Sequence, residues 1–126
     1  MSSVSVLIDT HLLLWILSES KKLKKFTWLK NYSFLTISPI SLLEIKFLHE
    51  CHRIQIDFEE VMTRLLQDER FSVDEVSMTQ ICLTAFGISW TRDPFDRLLV
   101  AHSMVKKIPL GTCDSLIQQN YAFVQK

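Results

Sequence analysis

Four carboxylates stand where the chain reads as a strand ending or a helix beginning. They are Asp9 in VLIDTHLLLW, Glu44 in ISPISLLEIKF, Asp96 in TRDPFDRLLVAHS and Asp114 in PLGTCDSLIQQ. Asp and Glu rarely enter apolar segments unless something pairs with their charge. A hard divalent cation does so through oxygen ligands, so the chemistry to expect is that of a metal-binding acidic cluster at one edge of an α/β sheet.

Each acid also has a plainer explanation. At about 100° per residue, Lys46, His49, Glu50 and Arg53 fall on one side of a helix, roughly opposite Glu44, whose own stripe holds Ile40, Ser41, Phe47 and Leu48. The alternative is a surface glutamate on a differently phased helix. Asp93, Pro94 and Asp96 make a favourable helix start at N-cap, N1 and N3 whatever the function. Capping accounts for Asp93; the apolar segment Leu98 to Val105, broken only by His102 and Ser103, makes Asp96 the amino end of a central helix. Asp9 or Thr10 could cap the helix that follows them, and Asp114 the last one. His11 and His102 read as packing or hydrogen-bonding histidines. Trp15, Trp28 and Trp90 read as core or interface residues before base-stacking platforms.

The elements that must position these acids alternate between strand and helix. Val4 to Ile8 suits a buried parallel strand, followed by an apolar helix from His11 to Leu17. Lys21 to Lys30 predicts a basic helix with Leu23, Phe26 and Leu29 inward. Phe34 to Ile37 predicts a strand, and Ser38-Pro39 opens a helix to about His52. Asp57 and Glu60 form a capping box before the stripe Phe58, Val61, Met62, Leu65 and Leu66. A strand over Phe71 to Val76 and a helix over Met78 to Phe86 follow, with Gly87 as its terminating glycine. The rest reads as a helix from Asp93-Pro94 to Lys106, a strand over Ile108 to Thr112, a short helix and a terminal strand. The fold class expected is α/β: a mostly parallel central sheet of about five short strands flanked by helices on both faces. Ligands of such sheets bind outside the carboxyl ends of the strands, where all four acids could converge.

Composition bounds the rest. One domain over residues 1–126 is expected, and 48% hydrophobic content suffices for a core. Lys+Arg and Asp+Glu number 14 each, so no global basic field advertises nucleic-acid binding; phosphate contact must be local. No signal-peptide pattern or apolar run of the roughly 20 residues that span a bilayer is present, which predicts a cytoplasmic protein with no membrane partner. Cys51, Cys82 and Cys113 show no C-x-x-C spacing and read as reduced packing thiols. In His49-Glu50-Cys51-His52 adjacent side chains diverge, which disfavours a metal site.

The segments LIDTHLLLW, SPISLLEI, RDPFDRLLVAHS and TCD resemble, in that order, the successive motifs of PIN domains. They are most similar to those of the VapC-type toxin ribonucleases of toxin-antitoxin pairs. The resemblance runs from Val4 to the C-terminus, and DPFDRLLVAH is its specific stretch. It implies a metal-dependent endoribonuclease in which Asp9, Glu44, Asp96 and Asp114 hold Mg²⁺ or Mn²⁺. It also implies auxiliary roles for Asp93, Thr10, Ser41, Thr112 and Arg97, the hydroxyls of Ser41 and Thr112 orienting carboxylates or waters. Two departures stand out: Leu43 where the group often has Trp, and Gly111 where a bulky aliphatic residue is usual. Glycine weakens a strand and so bears on the placement of Asp114.

The chemistry implied is metal-assisted phosphodiester hydrolysis. Because bare carboxylates repel RNA, it should depend absolutely on the ion. Lys21, Lys22, Lys24, Lys25 and Lys30 form the basic cluster for RNA-backbone contact, the alternative being a solvated helix face. The implied partners are RNA, a second copy in a homodimer, and a cognate antitoxin laid in an apolar groove near the first helix and the Pro39 helix, delivering a basic or polar side chain to the acids. Leu12, Trp15, Ile16, Phe47 and Leu48 are the apolar candidates for these surfaces. Two rivals remain: a metal-dependent phosphatase, for which the D-x-D nucleophile motif is absent from IDTHL, and a catalytically silent PIN-like scaffold for protein interactions.

Overall fold

The computed structural model describes residues 5–126. Four short strands, β1 (Val6–Ile8), β2 (Leu35–Ile37), β3 (Phe71–Val73) and β4 (Leu110–Gly111), form one parallel sheet in the order β3-β2-β1-β4. The expected fifth strand is reduced to a bridge between Leu110 and Val124, and Val4 lies outside the described residues. β1, β2 and β3 each stop where a polar residue follows, Asp9, Ser38 or Asp74. Alternation sends Val6 and Ile8 to one face and Leu7 to the other, and each face has its own apolar cluster.

One face is covered by α1 (Thr10–Leu17), two 3-10 turns (Lys21–Lys25 and Thr27–Asn31), α2 (Pro39–Glu50) and α3 (Phe58–Gln67). The other carries α4 (Met78–Ala85), α5 (Pro94–Lys106) and α6 (Ser115–Asn120). Capping sets most helix starts: Ser38 accepts from Ile40 N–H with Pro39 beside it, Asp57 accepts from Glu60 N–H, and Asp93 accepts from Phe95 and Asp96 N–H.

Several expectations are corrected. Lys21 to Lys30 is not an α-helix: Leu23, Phe26 and Leu29 recur every three residues, the repeat of a 3-10 helix, and all three pack on the core in that form. Gly87 does not end α4 in the left-handed conformation, since no described glycine has positive φ. Lys107 does adopt it, at φ 55°, to close α5. Leu12, Ile16 and Leu48, expected on the surface, are core residues, and Leu66, expected in the core, is exposed. Cys51 is exposed rather than packed.

Gly111 is explained by its neighbour. A Cβ there would lie 2.5 Å from Cη2 of the buried Trp28 indole and 3.2 Å from Ile8 Cδ1. The missing side chain is the space into which Trp28 packs, so the strand loses no packing at this position. Among the described residues no helix is long and apolar enough to cross a membrane.

Candidate active site

Strand register places the chemistry. Ile8 pairs with Ile37 and Gly111, and Ile37 with Val73. The next residue on each strand forms a row at the carboxyl ends: Asp74, Ser38, Asp9 and Thr112. The chain reverses its direction of travel across the sheet between β1 and β4, and at such a switch point the connections diverge and leave a crevice. Asp9 and Thr112 flank it.

Asp9 is 5% exposed and held at both oxygens. Oδ1 accepts from Leu12 N–H at 2.8 Å, capping α1, and Oδ2 accepts from the Thr112 hydroxyl and from Cys113 N–H. The Thr112 hydroxyl oxygen also accepts from Asp114 N–H at 3.0 Å, so one threonine ties Asp9 to Asp114. Asp114 then caps α6 by accepting from Leu116 and Ile117 N–H.

Glu44, 8% exposed, lies on the buried stripe of α2 with Ile40, Ser41, Ile45 and Leu48. Phe47, expected on that stripe, is at its exposed edge. Thr10 Oγ1 donates to Ser41 Oγ at 2.9 Å and lies close enough to Glu44 to favour its charged form. Asp96 sits half-buried in the first turn of α5, and the cap residue Asp93 is exposed beside it.

The electrostatics record the convergence. Burial pushes the Asp9 carboxyl above its ordinary value, against the hydrogen bond from Thr112. Burial also raises Glu44, with Asp93 and Asp9 adding repulsion. Asp96 is pushed up to about 7 by burial, then by the charges of Asp93, Asp114, Glu44 and Asp9. Among the described residues no Lys or Arg forms an ion pair with any of the four. Nor do three His, Cys, Asp or Glu side chains there stand in ready-made ligand geometry. Four hard oxygen donors with no Lys or Arg paired to them among the described residues suit Mg²⁺ or Mn²⁺ better than a soft metal.

Not every expected residue faces the cluster. Arg97 turns away and donates to the Ala85 carbonyl at 2.9 Å, tying α5 to α4. The lysines divide: Lys22 and Lys25 line a cleft that includes Cys113, Lys24 and Lys30 line another with Arg70, and Lys21 is exposed. The Cys113 thiol is pushed up to about 12 by burial and then by Asp9, so it stays neutral beside the acids. His11 is exposed at the rim, where its charge favours the ionised forms of Asp9 and Glu44. Sequence reasoning treated it as structural, although its place two residues after Asp9 was the available signal.

The other half of the row holds His102 as the hydrogen-bonding histidine expected, but its partners Ser38 and Asp74 were not foreseen. His102, 0% exposed on α5, bonds Ser38 Oγ through Nδ1 at 2.8 Å and Asp74 Oδ2 through Nε2 at 2.9 Å. With Asp74 accepting from Nε2–H, the neutral imidazole accepts a hydrogen bond from the Ser38 hydroxyl at Nδ1. Burial lowers the His102 pKa, against the pull of Asp74.

The PIN domain family model matches residues 6–123. Solved structures similar to this one include a toxin-antitoxin complex from Klebsiella pneumoniae, at TM-score 0.69 and 16% identity over 96% of each chain. VapBC-1 from nontypeable Haemophilus influenzae matches at TM-score 0.66 and 17% identity over 97% of this chain and 96% of that one. VapBC2 from Rickettsia felis, bound to a DNA fragment from its promoter, matches at 0.65 and 15% over 98% of each. At these identities the likeness is one of fold. No curated protein sequence matches the chain significantly.

Proposed function

The chain belongs to the PIN domain family, and from that premise we propose that it is a divalent-metal-dependent endoribonuclease, the toxin of a toxin-antitoxin pair. The observation that carries this reading is the set of four carboxylates at the β1–β4 crevice, none in an ion pair with Lys or Arg among the described residues, whose mutual repulsion helps push Asp96 up to about 7. A solely structural cluster would be expected to have Lys or Arg partners. The similar structures named as toxin-antitoxin and VapBC complexes support the biological setting.

In this reading Asp9, Glu44, Asp96 and Asp114 would hold Mg²⁺ or Mn²⁺. Bound there, the ion supplies charge to neutralise the scissile phosphate and lowers the pKa of the attacking water. The chain's own part is to fix the acids. Leu12 N–H, Cys113 N–H and the Thr112 hydroxyl immobilise Asp9. Thr112 sets where Asp114 leaves the strand, and Thr10 with Ser41 braces the α1–α2 contact beside Glu44. Such partners orient ligands and tune their basicity.

A cognate antitoxin that brings a basic side chain to the acids would satisfy the same charge. A homodimer draws on exposed apolar residues at the end of α4, Leu83 at 58% and the following cap residue Phe86 at 73%, rather than on the buried Leu12, Ile16 and Leu48. The deciding experiment incubates purified, antitoxin-free protein with total cellular RNA, with and without Mg²⁺ or Mn²⁺, and maps the cut ends. Discrete cuts that need the ion support the reading; intact RNA under both ions overturns it.

A further inference from the structure

The acidic crevice continues into a cleft of about 520 Å³ lined by Trp15, Lys22, Lys25, Phe26, Cys113 and Gln118. That volume is within the range of sites for nucleotide-sized ligands. The join is Cys113: its N–H donates to Asp9 Oδ2, while its side chain lines the cleft. One wall is cationic and one aromatic, against a crevice of four acids. RNA must approach those acids although they repel it, so an adjoining cationic wall is where its backbone gains attraction. The Lys22 ammonium rests 5.0 Å from the centroid of the Trp15 ring, and Phe26 lies tilted 6.1 Å from the same ring. A phosphate is a stronger partner for an ammonium than an indole face, so its arrival would draw Lys22 off the ring and free that face for a base.

We propose that this cleft seats the nucleotide next to the scissile bond of a single-stranded RNA. Lys22 and Lys25 hold its phosphates and Trp15 stacks its base. The inference rests on the ribonuclease reading. It assigns distinct roles to two pairs of lysines from the two successive 3-10 turns. Lys22 and Lys25 face the cleft, whereas Lys24 and Lys30 line a separate pocket with Leu35 and Arg70, toward the amino ends of β2 and β3.

The test measures binding, by fluorescence anisotropy, of a short labelled single-stranded RNA to the Asp96→Asn protein in Mg²⁺ at several salt concentrations. Lys22→Gln/Lys25→Gln should weaken binding and flatten its salt dependence by about 1.4 in log–log slope, at about 0.7 per phosphate contact. Lys24→Gln/Lys30→Gln removes the same charge and should leave the slope unchanged. Trp15→Leu should weaken binding at least about 5-fold, the low end for one stacked base, and Trp15→Phe should restore most of it. Equal losses from the two lysine pairs, no loss from Lys22→Gln/Lys25→Gln, or no RNA binding at all would overturn the proposal. Failure of the ribonuclease reading shows separately, as wild-type protein that cuts no RNA with either ion.

Discussion

The row of residues beyond the strand ends contains two halves that treat buried polar groups differently. Across β2 and β3, Ser38, His102 and Asp74 satisfy one another, and Lys106 Nζ adds a cation 3.6 Å from Asp74 Oδ1. Across β1 and β4, Asp9 gathers Glu44, Asp96 and Asp114 with no Lys or Arg ion pair to any of them among the described residues, and three of the four carboxyls are raised. Both halves sit on the same scaffold. The first spends its polarity on joining β3 and α5 to the start of α2; the second keeps its charge uncompensated, as stored repulsion that a cation would relieve.

If that contrast is right, the largest effect comes from the uncompensated half and falls on activity. Asp96→Asn and Glu44→Gln should each reduce metal-dependent RNA cleavage by more than about 100-fold, the upper end of what an outer-shell partner costs. Their circular dichroism should be unchanged, and their metal-free melting temperature at neutral pH should not fall below wild type. Wild-type cleavage by both variants would end the assignment of the site.

The compensated half should answer in stability. His102→Ala leaves Ser38 and Asp74 without their partner and opens a hole in the core. It should cost about 2–4 kcal/mol in denaturant melts, the sum of an unsatisfied polar group and a partly collapsed cavity. In contrast with Asp96→Asn, whatever protein remains folded should still cleave RNA.

The halves should also oppose each other in pH. Asp96 has a folded pKa above its ordinary value, so it favours the folded state where it is protonated; that contribution declines as pH rises from about 4 toward 7. His102 is shifted the other way. Its folded pKa lies below 6.5, so its contribution is present above 6.5 and is lost as pH falls through the lowered value, when protonation would take the Nδ1 lone pair from Ser38 and leave Asp74 and Lys106 as the facing charges. Melting curves of metal-free protein from pH 5 to 8 should lose the alkaline decline in Asp96→Asn and the acid decline in His102→Gln. Identical profiles in both variants would show that neither group carries the linkage.

How much of this was legible beforehand follows the same division. The parallel α/β fold and the caps at Ser38, Asp57 and Asp93 could be read locally, because each depends on neighbours within a few residues. The placement of the four acids at the carboxyl edge followed from the strand-helix alternation. What could not be read was pairing between distant residues. Nothing around Asp74 announces a histidine 28 residues later, and nothing around Gly111 announces the Trp28 ring that fills its missing side chain. The Lys21 to Lys30 segment failed for a different reason: its spacing of three was visible but was read with a helical period of 3.6.

The smallest expected effect tests whether charge alone distinguishes the halves. Asp93 does two things: it caps α5 through Phe95 and Asp96 N–H, and it is the largest contributor, after burial, to the rise at Asp96. Asn caps as well as Asp, so Asp93→Asn keeps the first role and removes the second. Stability should change by no more than a few tenths of a kcal/mol, within the spread between good N-caps. Because one repelling charge is gone, the Asp96 carboxyl should titrate lower than about 7, and the metal-free alkaline decline should soften without disappearing. Cleavage should persist within about 10-fold of wild type, since the substitution leaves the four proposed ligands in place. Carboxyl titration by carbon-13 NMR in the wild-type and Asp93→Asn proteins measures the shift directly. An unmoved Asp96 would mean that the Asp93 charge adds nothing to the rise, leaving burial and the three other acids to carry it. The β1–β4 half would then differ from its neighbour more in desolvation than in charge from the cap.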